Sequence, residues 1–66
     1  MKEVINICGM KSSKDINKVR QAISFNEGVF ACKIERKEGK AEIIFDQYTD
    51  IEKIIASIEE MGFTVI

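Results

Sequence analysis

The chain has no histidine and no proline among its 66 residues, and only two cysteines. Without histidine it lacks the usual general base near neutral pH and any zinc site built on imidazole. Two cysteines are too few to staple a small domain, so they point to a reducing compartment and a cytoplasmic location. No apolar run approaches the roughly 20 residues that cross a bilayer, so membrane insertion is not expected. Met1-Lys2-Glu3 opens into a strand-like segment with no signal-peptide pattern.

What is present is ordinary for a small globular unit: 45% hydrophobic and 32% charged residues, with a formal net charge of −1. A chain of this length is one domain, residues 1–66, and is too small to enclose a substrate cavity. Binding is expected rather than catalysis.

The segment Val4-Ile5-Asn6-Ile7-Cys8 alternates and is β-branched, and Gly9 ends it. Ile16, Val19 and Ile23, with Ala22 beside them, mark one face of a helix from about Ser13 to Phe25. Asn26-Glu27-Gly28 signals a turn, and a strand is expected from Val29 to Arg36. Lys37-Glu38-Gly39-Lys40 reads as a hairpin whose glycine supplies positive φ, followed by a strand over Ala41 to Asp46. Ile51, Ile54, Ile55, Ile58 and Met61 form the clearest helical stripe. Gly62 stops that helix, and Phe63 to Ile66 closes the chain as a short strand.

The halves repeat. Ile16-Asn17-Lys18-Val19 matches Ile51-Glu52-Lys53-Ile54 at an offset of 35 residues, as Asp15 matches Asp50 and Ile23 matches Ile58. The expected architecture is α+β: a ferredoxin-like βαββαβ sandwich, a four-stranded antiparallel sheet with two helices on one face. That topology brings Gly9 to Ser13, Lys37 to Lys40 and Met61 to Phe63 to one end, where a functional edge is expected.

Gly9-Met10, Ala22-Ile23, Gly28-Val29, Phe45-Asp46 and Ile58-Glu59-Glu60-Met61-Gly62-Phe63 then give the chain its resemblance. It resembles the heavy-metal-associated domain family, that is, copper chaperones and the amino-terminal domains of copper- and zinc-transporting ATPases. The resemblance implies a core role for Met10 beneath the loop and a lid role for Phe63. The family grips soft metal with a Cys-x-x-Cys pair placed two and five residues after that methionine. Here those positions hold Ser12 and Asp15. A hydroxyl and a carboxylate do not replace two thiolates for a soft ion, so neither metal nor cofactor is expected at this loop. Ser12-x-x-Asp15 instead fits a capping box, as Thr49-x-x-Glu52 does for the second helix.

A second reading keeps metal. By alternation Ile5 and Ile7 face the core and Cys8 the open sheet face, with Ile44 and Ile66, while Cys32 shares the parity of Ile34 and is expected buried. The two thiols then cannot share an ion. The alternative is a copper or zinc chaperone with an atypical site, one form of which is a Cys8-bridged dimer, since linear copper coordination would need Cys8 thiolates from two chains.

Charge gives a third feature. Residues 1–40 carry 9 basic and 5 acidic side chains, net +4, whereas residues 41–66 carry 1 basic and 6 acidic, net −5. Lys11, Lys14, Arg36, Lys37 and Lys40 are expected around the loop edge, as a surface for an acidic protein domain such as a metal-transporter domain, or for an anion at the helix start. Nucleic acid is not an expected partner, since Ile5, Ile7, Ile43 and Ile44 stand where stacking aromatics would be needed. The expectation is a small non-catalytic binding module linked to metal handling, acting by protein contact as a monomer or weak homodimer.

Overall fold

The computed structural model describes all of residues 1–66. β1 (Lys2–Cys8), α1 (Ser13–Ser24), β2 (Val29–Glu35), β3 (Lys40–Phe45), α2 (Ile51–Glu60) and β4 (Thr64–Val65) follow in the expected order. They form one antiparallel sheet in the order β2-β3-β1-β4, with the helices packed on one face.

Alternation along the central strands sets the two faces. Ile5 and Ile7 of β1 and Ala41, Ile43 and Phe45 of β3 point inward. They meet Val19, Ala22 and Ile23 of α1 and Ile54 and Ile58 of α2, and these residues, with Met10 and Phe63, are one buried cluster. Ile23, Ile43, Ile54 and Ile58 are wholly buried, so truncating any of them to alanine removes about 2–5 kcal/mol.

Several boundaries differ from the sequence expectation, each through pairing. β1 starts at Lys2 because Lys2 and Glu3 pair with Ile44 and Ile43, despite a composition poor for strands. The amino-terminal ammonium donates to the Phe45 carbonyl at 2.6 Å, and the Phe45 amide donates back to the Met1 carbonyl at 2.9 Å. β4 shrinks to Thr64 and Val65, since Phe63 turns into the core beside Gly9. Cys32 faces the core side as parity requires but is only half-buried, because β2 is an edge strand with no neighbour on its outer side.

The capping box expected at Thr49 does not form. Asp50 caps α2, its carboxylate accepting from the Glu52 amide at 3.0 Å. Thr49 is the residue before the cap, and its hydroxyl lies 2.8 Å from an Asp46 carboxylate oxygen and 3.0 Å from the Glu27 carbonyl, its single proton going to one or the other. Two short polar residues competed for the cap, and the nearby turn at Glu27 took one of them.

Candidate functional site

The three expected loops do meet at one end. The Ile7 amide donates to the Gly39 carbonyl at 2.7 Å, and the Arg36 guanidinium donates to the Lys11 carbonyl, tying the hairpin to the loop after β1. A Cβ built on Gly9 would stand 3.4 Å from the Phe63 ring. Met10 is 9% exposed and Phe63 8%, and both belong to the buried core.

Within this frame Ser12 and Asp15 serve the helix. Ser12 has extended backbone (φ −142°, ψ 168°), and its hydroxyl accepts from the Asp15 amide at 3.2 Å, which is N-cap geometry. The Asp15 carboxylate reaches back one residue further than a capping box requires and accepts from the Lys11 amide at 2.9 Å. That bond, above all, holds the Asp15 carboxyl below the usual carboxylate range, with Ser12 and Lys18 adding smaller effects in the same direction. Both backbone polar groups of Lys11 are thus engaged, the amide by Asp15 and the carbonyl by Arg36.

These donors do not fit a soft monovalent ion. A hydroxyl and one carboxylate are hard ligands, and both are committed to backbone amides. Elsewhere, no three Cys, Asp or Glu side chains gather closely enough to hold an ion. Cys8 is exposed on the open face opposite Thr64 of β4, while Cys32 lies on the other side of the sheet, so the thiols are kept apart. The free anion sought at the start of α1 meets competition too, because Asp15 already supplies a carboxylate there.

Of the basic residues, Lys11, Lys14, Arg36 and Lys37 are exposed on the loop edge. Lys40 is not among them. It belongs to β3 and shares the open sheet face with Lys33, Glu35, Glu38 and Glu42 around a shallow hollow of about 250 Å³. Two groupings went unseen in the sequence. One is that open-face lattice of charge, which required the strand register. The other is a set of exposed aromatics, Phe25 (87%), Phe30 (71%) and Tyr48 (85%). Phe30 had a signal available: Val29-Phe30-Ala31 is an apolar triplet that cannot alternate, and the β2–β3 register shifts there.

A four-stranded antiparallel sheet with two helices on one face, in βαββαβ order, defines a ferredoxin-like domain. A sequence profile of the heavy-metal-associated domain matches residues 4–64, and the chain belongs to that family. No curated protein matches it in sequence. Among solved structures it is similar to a CopZ metallochaperone, at 21% identity and a TM-score of 0.95 with both chains covered completely. It is also similar to a copper-binding domain from HMA7, a P-type ATPase (27% identity, TM-score 0.91, 98% of this chain and 89% of that one). A third likeness is to the yeast copper transporter domain Ccc2a, solved in apo and Cu(I)-loaded states (22%, 0.91, 97% and 89%).

Proposed function

We propose that this domain is a non-catalytic member of the heavy-metal-associated family that acts by protein contact and has given up the soft-metal grip. The observation that carries this reading is the use of Ser12 and Asp15. At the two positions where the family's thiols fall stand an N-cap hydroxyl and a carboxylate, both bonded to backbone amides. Neither cap residue is free to turn toward an ion without exposing the first turn of α1, at a cost of about 1 kcal/mol for the Ser12 cap.

Contact is assigned to the loop edge. Lys11, Lys14, Arg36 and Lys37 offer a positive rim over a loop held in shape by its own side chains, which suits an acidic domain of a metal-transport protein. Lys40 contributes to the field of that rim more than to its contact surface, given its place on the open face. Without histidine the chain lacks the usual general base, and catalysis is not part of the proposal.

Native mass spectrometry of reduced protein with Cu(I) and with zinc tests the metal half of the proposal, reading ion count and oligomer together. The expected result is no retained ion. One ion per chain, kept after Cys8→Ser, would overturn it; one ion per two chains, lost after Cys8→Ser, would establish the Cys8-bridged dimer instead. Binding to an acidic partner domain that is unchanged by salt would overturn the contact half.

A further inference from the structure

β2 is the outer strand of the sheet, and nothing lies beyond it. Its free edge has a definite pattern. On β3 the Asp46 amide donates to Gly28, ahead of β2, while the Phe45 amide donates to Met1, ahead of β1. Amides along β3 therefore alternate between the two neighbours, and Lys40, Glu42 and Ile44 are the residues bonded to β2. Their partners are Glu35, Lys33 and Ala31. Cys32 and Ile34, which lie between them, turn their N–H and C=O groups outward to the open edge. The register shift between Val29 and Ala31 ends the regular edge on one side, and the hairpin at Arg36 ends it on the other.

The open-face side chains of this edge alternate in sign. Lys33 stands opposite Glu42, and Glu35 opposite Lys40, so each β2 charge lies in register with a complement on β3. Lone edge charges normally discourage strand addition. An opposite pair two residues apart does the reverse for one particular visitor, a strand with the same sequence running antiparallel.

We infer that a second copy of this chain adds to the β2 edge about a two-fold axis through Ile34. In that register Lys33 of each copy faces Glu35 of the other, and the two Ile34 residues exchange their outward N–H and C=O groups. A row of alternating sign then crosses the joined sheet: Glu42, Lys33, then Glu35 and Lys40 of the second copy. The neighbouring registers are poorer. Centring on Lys33 sets two ammonium groups directly opposite each other, and centring on Cys32 leaves Lys33 facing Ala31 and runs the pairing into the register shift at Phe30. Because the two-fold axis consumes the β2 edge of each copy, contact through that edge closes as a dimer and does not grow into a fibre. This contact uses neither Ser12 nor Asp15, so it stands or falls independently of the metal reading.

Sedimentation equilibrium at low salt tests it, with circular dichroism confirming the fold of each variant. The wild-type chain should show a concentration-dependent dimer that weakens as salt is added. Lys33→Glu alone, or Glu35→Lys alone, should weaken it by about tenfold or more, and the full exchange Lys33→Glu/Glu35→Lys/Lys40→Glu/Glu42→Lys, which makes every facing pair opposite in sign again, should restore it. A chain that remains monomeric up to about 1 mM would overturn the inference, as would a dimer indifferent to both single reversals.

Discussion

The two helix starts are related by the internal repeat, and they are held by different means. Before α1, every cap bond is local: Ser12 and Asp15 bond within four residues of themselves, and only Arg36 reaches in from another element. Before α2, the cap residue Asp50 is local, but Thr49 crosses to Glu27, 22 residues away, and Asp46 donates its amide to Gly28. The caps of the first loop are local and solvent-facing, so Ser12 and Asp15 can change without cutting a bond between distant elements. The second is stitched into the fold. Duplicated elements can diverge in this way when one carries function and the other only architecture.

The comparison can be broken most sharply at the first loop. Ser12→Cys with Asp15→Cys should convert a chain that retains no Cu(I) into one that retains one ion per chain, measured by competition with a chromogenic chelator. Failure to gain the ion, with the fold intact, would mean the loop has lost the family's geometry as well as its thiols.

Next in size is the second loop. Gly28 has φ +84°, and a Cβ there would stand 2.1 Å from the Thr49 hydroxyl and 2.7 Å from the Asp46 carboxylate. Gly28→Ala should cost about 2 kcal/mol or more, lowering Tm by about 8–16 °C. The equivalent local disturbance at the first loop, Ser12→Ala, should cost only about 1 kcal/mol. Equal losses in thermal scans would erase the distinction between a stitched loop and a self-contained one.

The smallest effect lies in pH. The Asp15 carboxyl is held below its ordinary value in the folded chain, so the charged form favours folding. Its contribution is present at neutral pH and above the usual carboxylate range, and it is lost as pH falls through the lowered folded value. Asp15→Asn should therefore flatten part of the acid side of the stability curve and leave its alkaline side unchanged, as followed by urea midpoints across pH.

Much of this was visible in the order of residues, because period-two and helical patterns report which face a residue takes. Both helices, the four strands, the hairpin at Gly39 and the loop edge follow from that rule, whereas the reading of positions 12 and 15 as former thiol positions rests on the family resemblance alone. Face is not depth, however. Cys32 has core parity yet sits half-exposed, since parity carries no information about which strand lies at the edge. Nor does local spacing decide between two competent caps: Thr49 and Asp50 are both suitable, and the Glu27 carbonyl, distant in sequence, settled the matter. Lys40 illustrates the same limit for the site, because its direction depends on a strand that begins one residue earlier than expected.

Met10 carries one further consequence. It sits 9% exposed beneath the loop, whereas Met1 and Met61 are 71% and 44% exposed. Peroxide should therefore oxidise the two outer thioethers first and reach the inner one only when the loop lifts. A sulfoxide at Met10 would be too polar for its pocket and would hold the loop away from the core, so the oxidation order records how often that end of the molecule opens.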